Sequence, residues 1–348
     1  MALSYQPVLE CTRGPIVEST HDGIIAIATS DGTLLGSVGE VDAVVYMRSS
    51  AKPFQAVPII RSGAADAFAI RAADLAIMCS SHSGTDEHVA VLEGIQQRLG
   101  ISEDALQTGR HWPYHRETAI RLRSAGEEPT QNRHNCSGKH TGMLAIARHL
   151  GFPEETYTER THPVQEMSLH EVATLCGIAE EDVVLGVDGC SVPTFAVPMV
   201  RAATGYARIM DPDWGDQEYR HALDRIRVAM TSHPHLVAGP GRFDTALMEA
   251  THGRILAKGG AEGYQAIGVP GGNRGSNNPP FGITVKIKDG DLGKRAVAAV
   301  AMTVLRRLHV LSDDEETILA PFAPRSLTNH AGLTIGHLRP CFRLVQGA

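Results

Sequence analysis

Val44-Val45-Tyr46-Met47-Arg48-Ser49-Ser50-Ala51-Lys52-Pro53-Phe54 turns the chain from strand to helix. Val44 to Met47 reads as a short strand, and Ser49 to Ile60 as a helix start. Ser49 or Ser50 stands where a hydroxyl caps free N–H groups, and Pro53 is tolerated in a first turn. Upstream, the apolar run Gly23–Ala28 and the segment Thr33–Val38 flank Asp31-Gly32, a hairpin signal. Downstream, the chain from about Ala72 to Arg227 is mostly helical, with apolar spacing that predicts helices over Asp86–Leu99, Glu117–Ser124, Gly142–Leu150 and Pro163–Leu175. Strands return at Arg254–Gly260, Gln265–Val269 and Gly282–Lys288, and an apolar helix over Lys294–Leu308 closes the pattern.

Consecutive strands joined by tight turns indicate an antiparallel sheet. The expected fold class is therefore α/β of the α+β type: an antiparallel sheet flanked by helices and split by a mostly helical insertion. At 348 residues the chain exceeds the roughly 250–300 at which a single core stops growing. Two lobes follow. One is a sheet-and-helix lobe of residues 1–70 with 240–348, and the other a mostly helical lobe of residues 71–239.

A formal net charge of −7 and the absence of any long Lys/Arg run argue against nucleic acid and anionic membranes as partners. No apolar stretch approaches the roughly 20 residues of a membrane span, and Met1–Pro7 is not a basic segment leading into an apolar one. The expected compartment is the cytoplasm. Six cysteines in so long a chain are not a disulfide framework, and Cys176, within an apolar helical pattern, is expected in the core.

Ser49 and Lys52 are the first candidates for chemistry. At i and i+3 on a helix they share a face, and a neutral lysine there can take the serine proton. The plain alternative is a capping serine and a solvated lysine. Lys258-Gly259-Gly260 raises the stakes, because small residues after a strand lysine allow close backbone approach. Serine hydrolases of the Ser-x-x-Lys kind combine that motif with a middle serine and a late Lys-Thr-Gly. Here Cys79-Ser80-Ser81-His82-Ser83-Gly84 supplies the middle element, with Ser81 able to relay a proton between two lysines. Otherwise Lys258 is a strand-edge charge. Cys136, in Asn135-Cys136-Ser137-Gly138-Lys139-His140, and Cys190, in Val187-Asp188-Gly189-Cys190-Ser191, could share a zinc. On spacing, His140 is the third ligand and His134 another choice. Two unrelated turn thiols are the simpler reading of the same residues.

Taken together, Arg48–Pro53, Ser81–Gly84, Asn135–His140, Val187–Cys190 and Lys258–Gly263 resemble the L-asparaginase II family, the class 3 asparaginases, over nearly the whole chain. The resemblance implies a fold similar to serine β-lactamases and Ser-Lys glutaminases, with Ser49 paired to Lys52 and Ser81 to Lys258. It implies a zinc on Cys136, Lys139 and Cys190 with water completing the shell, Asp188 near that water, and His140 beside the substrate. Lys139 can ligate only as a neutral amine. Arg48 is expected to orient its segment or meet a carboxylate. The implied reaction is hydrolysis of L-asparagine to aspartate and ammonia by a homodimer. The rivals are a glutaminase or β-lactamase-like hydrolase and, in another class, a metal- or redox-sensing protein built on Cys136 and Cys190.

Overall fold

The computed structural model describes residues 4–347. Among these the strands are β1 (Gln6–Arg13), β2 (Ile16–Thr29), β3 (Leu34–Val38), β4 (Val44–Tyr46), β5 (Val184–Val187), β6 (Pro193–Pro198), β7 (Leu256–Gly260), β8 (Tyr264–Val269), β9 (Phe281–Ile287), β10 (Ser326–Thr328), β11 (Thr334–Pro340) and β12 (Val345–Gln346). The chain divides into two compact units. A sheet unit takes the described residues up to Ser50, Val197–Asp211 and those from Ala250 onward, and a helical unit takes Ala51–Ala196 and Pro212–Glu249. No helix of the described residues is long and apolar enough to cross a membrane.

The sheet unit is built on nine strands in the order β10-β11-β1-β2-β9-β8-β7, with β3 beside β2 and β12 beside β3. Its pairings are antiparallel. The long strand β2 organises it. The first half of β2 pairs with β1 and the second with β3, while β9 runs along the other edge from Gly23 to Thr29. Ile24 to Ala28 form an unbroken buried run rather than an alternating one, because both faces are covered. The helix Met199–Met210 lies on β2, β8 and β9, and the helix Val297–Arg307 packs against β1, β8, β9 and β11. Gly282 permits the first contact, since a Cβ there would come within 1.9 Å of the Ala203 carbonyl oxygen.

The helical unit centres on Ala72–Met78, packed by Gln217–Ser232, Ser137–Leu150 and Asp86–Leu99. Gly138 brings Ser137–Leu150 in: an added Cβ would stand 2.0 Å from the Ile77 carbonyl oxygen. That approach sets Cys136 and Lys139 against the loop after Met78. A hairpin of β5 and β6 completes the unit, with Val187 opposite Pro193.

Three expectations change. The segment from Ser49 is not one capped helix but a 3₁₀ turn, Arg48–Ala51, followed by the short helices Lys52–Gln55 and Val57–Arg61. Neither serine caps it. The N-cap is Ala51 and uses no side chain, and Ser50 Oγ instead donates to the Met47 carbonyl at 2.8 Å. The chain does not end on a closing helix, for β10, β11 and β12 follow it. Thr334–Pro340 buries only Gly336 and Leu338, so it carries little apolar pattern to announce a strand. The units also divide at Ser50, not near residue 70, because Lys52–Gln55 and Val57–Arg61 pack on the helix Pro163–Cys176. Val197–Asp211 joins the sheet unit as its covering helix.

Candidate active site

The helical unit gathers Lys52, Ser81, Cys136, Lys139, His140, Asp188 and Cys190, and the sheet unit carries Arg48, Ser49 and Lys258. Lys52 is buried, 1% exposed, and its Nζ donates to the carbonyls of Ser80 and Asn135 (3.2 Å) and contacts Ser81 Oγ at 3.1 Å. Two of these three partners can only accept. A neutral amine has two N–H groups for the two carbonyls and keeps its lone pair for the Ser81 hydroxyl. Burial lowers the Lys52 pKa from the ordinary lysine value, and the Lys139 ammonium pushes the same way, while Cys136 and Cys190 push back.

The Ser81 loop is held from several directions. Ser81 N–H donates to the Val237 carbonyl at 2.8 Å, and Ser83 Oγ to that of Ala238 at 2.7 Å. His82 accepts the Gly84 N–H at Nδ1, which makes Nε2 the protonated nitrogen that donates to Ser137 Oγ at 2.8 Å. Ser137 Oγ in turn donates to the Asn132 carbonyl. His82 therefore ties the Ser81 loop to the helix that carries Lys139. Gly84, at φ +70°, closes the turn where a Cβ would meet the Arg133 carbonyl at 2.8 Å.

Cys136 immediately precedes the helix Ser137–Leu150, and Lys139 lies in its first turn, so both face one way. Cys190 sits in the turn between β5 and β6, closed by Asp188 N–H to the Val192 carbonyl at 2.9 Å. Lys139 Nζ donates to Cys190 Sγ at 3.2 Å. A hydrogen bond from Cys136 pulls the Cys190 thiol down to about 5 against its burial, and the Lys139 ammonium helps. Burial disfavours that ammonium, but Cys190, Cys136 and Asp188 outweigh burial and raise the Lys139 pKa. Two sulfurs and an amine nitrogen thus converge in a donor set that suits zinc. Among the described residues no group of three or more His, Cys, Asp and Glu could hold a metal. The spacing argument had put His140 or His134 beside the two cysteines. The Nδ1 of His140 meets the Tyr157 hydroxyl at 2.6 Å, and the Nδ1 of His134 accepts the Cys136 N–H at 3.0 Å.

In the sheet unit, Lys258 is fully buried on β7, where its Nζ donates to the Gly259 carbonyl at 2.7 Å. Gly260 lets β7 close on the segment before Ser49, since a Cβ there would meet the Met47 carbonyl at 2.6 Å. The small residues after Lys258 thus receive the chain's own backbone. Ser49 is half-buried in its 3₁₀ turn, and Arg48 before it takes a left-handed φ of +52°, a conformation that L side chains adopt at some strain. The next carbonyl but one, of Ser50, accepts the Tyr206 hydroxyl at 2.7 Å. His82, Ser137 and Tyr157 escaped the sequence reading. His82 and Ser137 lay within quoted motifs without an evident role, and nothing near Tyr157 signals its partner.

The family model described as L-asparaginase II matches residues 9–340. No curated protein sequence matches the chain. Among solved structures, Mglu in its native form is 16% identical at a TM-score of 0.44, over 84% of this chain and 66% of that one. A probable glutaminase from Bacillus subtilis, complexed with 6-diazo-5-oxo-L-norleucine, is 13% identical at a TM-score of 0.37, over 83% of this chain and 84% of that one. The chain spans just under two thirds of the length of Mglu.

Proposed function

Because the chain belongs to the L-asparaginase II family, we propose that it hydrolyses the side-chain amide of L-asparagine to aspartate and ammonia. The observation that carries this reading is the buried Lys52 amine, held by two carbonyls with Ser81 Oγ at 3.1 Å. A desolvated lysine beside a hydroxyl is the arrangement a serine amidohydrolase needs. Ser49, one turn before Lys52, attacks the amide carbon, and Lys52 takes its proton. Ser81, hydrogen-bonded to Lys52, passes a proton to the departing ammonia. Water then releases aspartate from the ester on Ser49. Lys258 assists this proton traffic, and Arg48, His140 and Asp188 are assigned to the substrate. A second reading, favoured by the same contact, makes Ser81 the nucleophile and Lys52 its direct base.

Cys136, Lys139 and Cys190 would hold a zinc ion, which when bound supplies a fixed positive charge that orders the pocket. Protein purified without chelator should carry about one zinc per chain. Cys136→Ala and Cys190→Ala should each lose it, by elemental analysis. Loading should release protons, because Lys139 must shed its own to ligate. Metal that survives both substitutions would show that the ligand set is wrong.

Ammonia release from L-asparagine and L-glutamine, together with the colour change of a chromogenic β-lactam on ring opening, tests the activity. Preference for asparagine is expected. Glutamine should be turned over to some extent, because one methylene in a pocket is worth only about 1–3 kcal/mol. Faster turnover of glutamine or the β-lactam would reassign the substrate. No turnover of any of the three by zinc-loaded protein would favour a metal- or redox-sensing role.

A further inference from the structure

His140 and Tyr157 lie entirely within the helical unit and are both fully buried. Their rings meet edge to face, with centroids 5.4 Å apart, and His140 Nδ1 lies 2.6 Å from the Tyr157 hydroxyl. That hydroxyl also accepts the Gln107 N–H at 2.9 Å. The phenol is pinned in place. The Gln107 side chain donates to the Glu155 carbonyl at 2.7 Å and accepts from Thr158 Oγ1 at 2.9 Å. Gln165 Nε2 donates to the Tyr157 carbonyl at 2.7 Å.

The proton count on this pair has two solutions. In one, the phenol donates its proton to His140 Nδ1, and the ring proton sits on Nε2. Every group of Tyr157 is then satisfied. In the other, Nδ1–H donates to the phenol oxygen, which already accepts from Gln107. The phenol proton then has no acceptor among these contacts, and Nε2 presents a bare lone pair. The second arrangement leaves two buried groups unmatched, the phenol proton and the Nε2 lone pair, and the first leaves only the Nε2 proton, so the first is favoured. It leaves one open valence, the His140 Nε2, which is buried and has no hydrogen-bond partner among the described residues. Lys139, Cys136, Lys52 and Asp188 are the charged groups around that ring.

We infer that Tyr157 is a positioning residue that fixes His140 as an Nε2–H donor for an oxygen of the bound substrate, either its carboxylate or its amide carbonyl. The identity of that oxygen rests on the proposed amidohydrolase reading, and the position of the proton does not. Nε2 in this form offers a proton and no lone pair, so His140 is available to substrate and not to metal.

The test uses the full chain as purified, with histidine labelled with ¹⁵N at both ring nitrogens. Long-range ¹H–¹⁵N correlation at neutral pH reports which nitrogen carries the proton, and His140→Gln identifies the signal. The His140 ring should carry its proton on Nε2, and Tyr157→Phe should shift it toward the other form. Tyr157→Phe should also lower kcat/KM on L-asparagine by about tenfold, the size of one lost hydrogen bond to substrate. Glutamine at position 140 keeps an N–H donor whose presence does not depend on a tautomer. In that background Tyr157→Phe should cause no further loss, whereas a merely structural tyrosine would cause the same loss in both. Nδ1–H in the wild-type spectrum would overturn the inference, as would an equal loss in the glutamine background or the loss of zinc from His140→Gln. A chain inactive toward every amide would sink the proposed function. The proton position, read from the spectrum alone, would still stand or fall by itself.

Discussion

Ser49→Ala is expected to lose turnover of L-asparagine by at least about ten-thousandfold in kcat, with its unfolding midpoint little changed. Ser49 is half-buried in a 3₁₀ turn, so removing its hydroxyl opens no core cavity. Lys52→Met should be as inactive, because nucleophile and base act as one unit. The double variant should then be no worse than either single one. Lys52→Arg should fail as well, since a guanidinium stays charged and cannot serve as the base. Lys52→Met should also be less stable, by about 1–3 kcal/mol, because the Ser80 and Asn135 carbonyls lose their buried donor. Ser81→Ala separates the two readings of the serines. As a relay, Ser81 should matter by about a hundredfold or less, the lower range for positioned proton transfer. If instead Ser81→Ala is inactive and Ser49→Ala retains most of its rate, then Ser81 is the nucleophile and the roles are exchanged.

The second large effect concerns pH. Lys52 works only as a neutral amine, and burial lowers its pKa from 10.5, against the opposing pull of Cys136 and Cys190. The sign follows directly. Below the shifted pKa the base is protonated and idle; above it the base is free. The rate should therefore rise from neutral toward alkaline pH, with a midpoint below 10.5. Each pH unit below the midpoint should reduce kcat/KM about tenfold. The loss should be reversible, with circular dichroism unchanged across the range. Any residual rate of Lys52→Arg should lack this rising limb. A wild-type profile that is flat from neutral upward, or a limb that persists in Lys52→Arg, would show that another group supplies the base.

Much of this protein is legible one residue at a time. The run Ile24–Ala28 announces a central strand because its apolar side chains must leave water on both faces. Asp31-Gly32 announces its hairpin, because residues of that kind tolerate the turn. The helices Asp86–Leu99 and Pro163–Cys176 stand where apolar spacing placed them, since local period and burial agree. Lys52, Ser81, Cys136, His140 and Cys190 were likewise singled out from their motifs, Lys139 and Asp188 through the family resemblance, and all of them fall in the helical unit.

Tertiary structure decided the rest. Which hydroxyl meets Lys52 depends on where the loop after Ala72–Met78 falls, and Gly138 and His82 set that position through contacts far apart in sequence. Ser50 was read as a helix cap, yet its hydroxyl bonds Met47, because Ala51 opens the helix that Ser50 was to cap. The spacing of Cys136 and Cys190 suggested a histidine between them. The Nδ1 of His140 is held by Tyr157, a residue with no motif of its own. β11 carries too little apolar pattern to be read, since its place in the sheet comes from pairing with β1. The sequence determines which side chains need burial and which local turns are open to them. Partners separated by tens of residues are settled only when the folded chain satisfies every buried donor and acceptor at once.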